Sequence, residues 1–265
     1  MTRAMFLLYG VFCHLLFLAV YGYFAAFFAG LPLPFVPKTV DSPPGASLGW
    51  ALAINGGLVL AFALQHSVMA RPGFKRLWTR LVPKPIERST YVLFSCLILI
   101  VLVVLWQPIN FVVWDLPAGP ARWLAWTLFA GGWLMVPLVT LMINHFDLFG
   151  TRQVWLHWQG QPYTSLPFRT PYLYKRMRHP LYVGWAIAFW ATPTMSVGHL
   201  LLAATLTGYM LVAVVFEERD LVAHFGRVYE DYRRRVPMFI PIPGTGAGPM
   251  DAAEELATEA ETQRA

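Results

Sequence analysis

From Met5 to Gly30 the chain runs 26 positions without a single Asp, Glu, Lys or Arg. At about 1.5 Å of rise per residue such a helix is long enough to cross a bilayer core of roughly 30 Å. A helix that is apolar on every face must be buried all round or face lipid. Leu48–Ala70, Tyr91–Trp114 and Trp123–Ile143 repeat the pattern. Leu181–Val197 and Leu200–Phe216 are shorter and separated only by Gly198-His199, so they read as a tight helical hairpin, tilted or not fully spanning. Composition agrees, with 57% hydrophobic and 13% charged residues over 265 positions, where a soluble domain carries about 25% charged. The expectation is an all-α integral membrane protein of about six transmembrane helices. The first run exceeds the roughly 7–15 apolar residues of a cleaved signal, and only Arg3 precedes it, so it is read as a membrane helix.

The cations set the topology. The segment 71–88 holds Arg71, Lys75, Arg76, Arg80, Lys84 and Arg88 against Glu87, and 144–178 holds Arg152, Arg169, Lys175, Arg176 and Arg178 against Asp147. The segment 107–120 has no cation, and 31–47 has only Lys38 beside Asp41. Six spans with both termini cytoplasmic satisfy this asymmetry. The net charge of +6 then follows from topology and points to the lipid bilayer as partner, not to nucleic acid. Cys13 and Cys96 lie inside expected helices, without metal-ligand spacing. His14, His66, His157, His199 and His224 show no repeated spacing either, so no metal is expected.

Three regions follow: membrane helices over 1–143, a polar half over 144–243 that includes the last two membrane helices, and an acidic, Ala-rich tail over 244–265 expected to be mobile. Ionisable groups near membrane depth are costly and mark candidate sites, and here they sit in "NHFDLFGTRQ", "RMRHPLYVG", "FEERDLVAHFG" and "VYEDYRRRVPMFIP". Pro180 biases His179 out of helix and starts a new one near Leu181, where free N–H groups beside Arg176 and Arg178 make an anion site. Gly184 permits close approach of a neighbouring helix or of a flat ring. Glu217 and Glu218 follow the last apolar run. Acids there oppose the helix dipole unless the helix continues or cations offset them. They are either a solvated pair, or one orients a helix while the other meets a ligand cation. Tyr229 and Tyr232 share a helix face ahead of Arg233, Arg234 and Arg235, an aromatic and cationic combination that suits an adenine ring and a carboxylate, or a plain juxtamembrane helix.

Taken in order and spacing, "RHPLYVG", a helical hairpin, "EE" and "FGRVYEDYRRRVPMFIP" resemble the C-terminal signature of the isoprenylcysteine carboxyl methyltransferase and phospholipid methyltransferase superfamily, over about 176–241. "INHFDLFGTRQVWLHWQG" and the whole-chain layout look like the bacterial methanethiol S-methyltransferases, relatives of the NnrU-like proteins, with Thr151 standing where a larger apolar residue is expected. The resemblance implies S-adenosyl-L-methionine held by the C-terminal hairpin and a cytoplasmic cap. Arg178, His179, Tyr182, Gly184, Glu217, Glu218, Tyr229, Tyr232 and Arg235 are at the matching positions, with Pro237 beside them. It also implies a multi-pass protein of the bacterial inner membrane whose active site faces the cytoplasm. The acceptor would be a small volatile thiol, methanethiol, converted to dimethyl sulfide. The rivals are a prenylcysteine carboxylate or lipid amine as acceptor, a sterol-reductase-like use of NADPH, and a non-catalytic NnrU-like protein.

Methyl transfer to sulfur is an in-line displacement in which a thiolate is the better nucleophile. His145, Asp147 and Arg152 are the catalytic candidates, with His145 as base and Asp147 fixing its tautomer or pairing with Arg152. Capping of the fourth helix is the structural alternative. Phe146, Phe149, Trp155 and Trp158 are either pocket wall or interfacial belt.

Overall fold

A computed structural model describes residues 2–246 except 32, 33 and 35, so most of the tail expected over 244–265 lies outside the described residues. Five helices are long and apolar enough to cross a membrane by length and composition: α1 (Arg3–Ala29), α2 (Leu48–Ala70), α4 (Lys84–Leu105), α5 (Pro120–Ile143) and α9 (Val197–Phe225). The chain is an all-α membrane protein. Shorter helices join them: α3 (Pro72–Trp78), α6 (His145–Leu148), α7 (Thr151–Gln159), α8 (Pro180–Trp190) and α10 (Arg227–Arg235).

The element bounds depart from the apolar runs at the third span and at the hairpin, and α9 runs on past Phe216 to Phe225. α4 begins at Lys84 rather than Tyr91 and stops at Leu105, because charged residues can continue a helix beyond lipid while Pro108 follows its end. The hairpin turn is not at Gly198-His199. α8 stops at Trp190, about 16 Å from its start, and the chain turns at Ala191–Pro193 into a strand, β2 (Thr194–Ser196). β2 pairs antiparallel with β1 (Val112–Asp115), Val112 opposite Ser196 and Asp115 opposite Thr194, with a register irregularity between Val112 and Trp114. Gly198 thus lies in the first turn of α9, its N–H bonded to Ile109 O at 2.9 Å. α8 is the fifth apolar run, and it is too short to span by itself.

Helix pairing is read from contacts. Gly132 on α5 lies against Ala188 on α8, and Gly184 against Met135 and Val136, so the two helices run antiparallel at close range. Small residues let membrane helices approach in this way. Pro137, inside α5, has no N–H and leaves Trp133 O without its helical donor, and the Tyr21 hydroxyl of α1 donates to that carbonyl. Tyr21 also stacks edge-on against Trp185 of α8, ring centroids 5.8 Å apart. The bundle core is a column of rings, Phe24, Phe27, Phe28, Trp106, Trp133 and Phe189 among them, while Leu8, Leu15, Leu60 and Leu134 point outward as a lipid-facing surface requires.

Candidate functional site

α9 does not end with the apolar run; it continues through Glu217 and Glu218 to Phe225. Both acids therefore sit inside a helix, and the conflict with the helix terminus does not arise. Glu218 is 7% exposed, and its Oε1 gathers three donors: Arg178 Nε at 2.6 Å, His179 Nε2 at 3.0 Å and the Tyr229 hydroxyl at 3.4 Å. A carboxylate only accepts, so His179 carries its proton on Nε2. The Arg178 guanidinium also donates to Arg233 O at 3.1 Å and Val236 O at 2.5 Å, closing the end of α10. Arg178 N and His179 N bond to Pro237 O and Met238 O at 2.9 and 3.0 Å. The start of α8, the end of α9 and the segment after α10 are thus tied through one carboxylate.

Glu217 is placed differently. Its side chain is 45% exposed, it takes the Tyr182 hydroxyl at 2.7 Å on Oε2, and His179 Nδ1 stands 4.0 Å off. One acid is consumed by internal donors; the other keeps acceptor capacity for something outside.

Gly184 serves the neighbouring-helix alternative, since a Cβ there would meet Met135 and Val136 at 3.3–3.4 Å. Tyr229 and Tyr232 are 2% and 4% exposed, packed on Phe168, and Tyr232 donates to Tyr174 O at 2.6 Å. Burial, and for Tyr229 the neighbouring Glu218 charge, push both phenols upward, so they stay neutral donors. Arg235 is exposed on α10 and reaches Asp231 O at 3.3 Å. Arg178 is committed to Glu218 and two carbonyls. Lys175 and Arg176 are the exposed cations of the same stretch.

The upstream trio separates into two groups. Asp147 pairs with Arg152 at 2.9 Å and takes the Tyr163 hydroxyl at 3.3 Å, while Arg152 holds Thr164 O at 2.8 Å and Thr164 Oγ1 at 2.9 Å. Asn144 Oδ1 caps Asp147 N at 3.0 Å. His145 turns away from Asp147, its Nδ1 2.7 Å from Thr140 Oγ1 and its Nε2 3.2 Å from His14 Nε2. Of the two pairings open to Asp147, the one with Arg152 is observed. Burial first, then the second imidazole, lowers the affinity of His145 for a proton. Phe149 turns inward and stacks on Phe17 at 3.9 Å, whereas Phe146, Trp155 and Trp158 are exposed and fit an interfacial belt.

His14 is the residue that sequence reasoning passed over. A histidine in an otherwise uncharged membrane run was the signal, but its partners lie 131 and 137 positions away. Its Nδ1 meets Thr151 Oγ1 at 2.7 Å, so the expected apolar position is instead a hydrogen-bond partner. A further polar group joins α2 and α4, with His66 Nε2 2.8 Å from the Tyr91 hydroxyl and His66 Nδ1 3.1 Å from Ser95 Oγ.

The two clusters share one end of the bundle. α1 and α8 both run antiparallel to α5, and Tyr21 meets Trp185 between them. Stepping back along each helix from that contact, His14 lies about 10 Å and His179 about 9 Å toward the same end. Among the described residues no group of three or more His, Cys, Asp and Glu is placed to hold a metal.

The chain is similar to known proteins over most of its length. It is 51% identical over 244 residues to a methanethiol S-methyltransferase of Crocosphaera subtropica, covering 92% of this chain and 94% of that protein. It is 49% identical over 243 residues to one of Mycobacterium tuberculosis, covering 92% and 98%. A methanethiol S-methyltransferase 2 of Bradyrhizobium diazoefficiens is 52% identical over 206 residues, 78% of this chain and 79% of that protein. No protein-family model and no solved structure matches the chain.

Proposed function

The chain belongs to the methanethiol S-methyltransferase family, and from that membership we propose that it methylates methanethiol on sulfur with S-adenosylmethionine, releasing dimethyl sulfide. When bound, S-adenosylmethionine supplies an activated methyl carbon, so no covalent enzyme intermediate is needed. The protein's task is to bind, align and keep water away.

The observation that carries this reading is the division of labour between the two glutamates. Glu218 is spent on Arg178, His179 and Tyr229, which fixes the cap against α8. Glu217, which takes the Tyr182 hydroxyl at 2.7 Å and has His179 Nδ1 4.0 Å off, offers a half-exposed carboxylate to a cation such as the donor's ammonium. Lys175 and Arg176 are exposed on the same lip and suit the donor's carboxylate. Tyr229 and Tyr232 act from beneath as donors and packing, while Gly184 keeps α8 close to α5. His145 is the group closest in kind to a base, and the Asp147–Arg152 pair braces the turn that carries it.

The cations of the loops at 71–88 and 144–178 support a cytoplasmic orientation for this end of the bundle in a bacterial inner membrane, by the positive-inside rule. Purified protein given S-adenosylmethionine and methanethiol should produce dimethyl sulfide in the headspace, and S-adenosylhomocysteine should bind in calorimetry. Binding without dimethyl sulfide would move the acceptor elsewhere; no binding would end the methyltransferase mechanism at this site.

A further inference from the structure

One hydroxyl proton fixes the state of a four-residue chain in the interior. Thr140 Oγ1 donates to Pro137 O at 2.8 Å, and a carbonyl only accepts. Thr140 must therefore accept from His145 Nδ1, 2.7 Å away. His145 is then protonated on Nδ1 and bare on Nε2, so the proton in the 3.2 Å contact between the rings belongs to His14 Nε2. That leaves His14 bare on Nδ1, where it accepts the Thr151 hydroxyl at 2.7 Å. In the neutral pair every proton points from Thr151 toward Pro137.

We infer that His14 and His145 work as one proton acceptor for the thiol, the proton arriving at His14 Nδ1 through the Thr151 hydroxyl and its charge being shared across the two imidazoles. The inference rests on the methanethiol reading. Both rings are buried while Thr151 is partly exposed, so the hydroxyl is the reachable end of the chain. Phe17 and Phe149 stand against the pair with centroids 4.6–6.5 Å from its rings, an apolar setting suited to a one-carbon thiol. A single imidazolium here would be poorly solvated, whereas a proton already hydrogen-bonded to a second imidazole is not left alone. The neighbouring charges are otherwise engaged: Asp147 with Arg152, and Arg88 with Leu148 O at 2.6 Å.

The step balances without any further reagent. The S–H bond breaks and its proton adds to Thr151 Oγ1 as the hydroxyl proton passes to His14 Nδ1. The electron pair left on sulfur forms the new S–C bond, and the pair of the old bond stays with the donor's sulfur. The donor's positive charge is thereby cancelled, and the proton on the imidazole pair later returns to water.

The test is His14→Gln in the full chain. A glutamine amide can still donate N–H to His145 Nε2, but it has no bare nitrogen to take a proton. S-adenosylhomocysteine affinity should be unchanged, while methyl transfer to methanethiol at pH 7 should fall about 100-fold. A more acidic thiol, 2,2,2-trifluoroethanethiol, should lose far less, because it reaches the site as thiolate. In 15N-histidine spectra of the unliganded wild type, one buried imidazole should carry its proton on Nδ1 and its partner on Nε2. Wild-type rates in His14→Gln, or two rings both protonated on Nε2, would overturn the pair while leaving the methyltransferase intact. A wild type inert toward methanethiol would overturn both.

Discussion

Arg178 Nε and Glu218 Oε1 lie 2.6 Å apart, each side chain only 9% exposed, across 40 positions of sequence. Two buried charges are tolerable only as a pair, and removing one strands the other. Glu218→Gln should therefore lower unfolding stability by about 3–5 kcal/mol, with α10 and the segment through Met238 released first. Denaturation in detergent, with limited proteolysis after Arg227, would show it. Wild-type stability would mean that the carboxylate is not holding the cap.

Tyr182→Phe separates the two acids. It removes only the 2.7 Å bond to the half-exposed Glu217 and leaves the Glu218 hub intact. Stability should change by less than about 1 kcal/mol, the usual worth of one hydrogen bond. Affinity for S-adenosylhomocysteine should nonetheless fall about tenfold, since Glu217 loses the group that aims it. Calorimetry on the purified variant reads both the affinity and, through its melting endotherm, the stability.

The spans and the candidacy of His179, Glu217 and Glu218 were legible because they depend on local sequence: uncharged runs, a His-Pro step, and two acids after an apolar stretch. That Glu218 joins Arg178, His179 and Tyr229, 11 to 40 positions away, was not legible. Nor was the end of α8. The segment 191–196 is uncharged like its neighbours, and only pairing with Val112–Asp115, some 80 positions earlier, makes Thr194–Ser196 a strand. His14 was hidden for a similar reason, since its partners enter only when α1 packs on the α5–α7 corner. Asp147 had two plausible partners in sequence, and the backbone break at Asn144 turns it to Arg152.

Gly131 and Gly132 are adjacent on α5 and should respond in opposite ways to alanine. A Cβ at Gly132 would sit 2.5 Å from Ala188 N, backbone that cannot yield unless α5 and α8 separate. At Gly131 nothing lies within 4 Å. Gly132→Ala should cost about 1–3 kcal/mol and weaken donor binding by moving α8. Gly131→Ala should be neutral or stabilising by a few tenths of a kcal/mol through helix propensity. Melting temperatures of the two variants, measured side by side, decide it.

His145 gives the protein a pH-dependent stability with a definite sign. Burial and the facing His14 hold its imidazole below the ordinary value of 6.5, so the unfolded chain takes up the proton first as pH falls. The stabilisation is complete above pH 6.5, is lost as pH drops toward the folded value, and then levels off. Methyl transfer should persist to pH below 6.5 for the same reason, because the pair stays neutral and able to accept a proton. Melting temperature followed from pH 7.5 down to about 5 should decline over that window in the wild type and less steeply in His145→Asn. An unchanged slope in the variant would show that His145 does not titrate differently between the folded and unfolded chain.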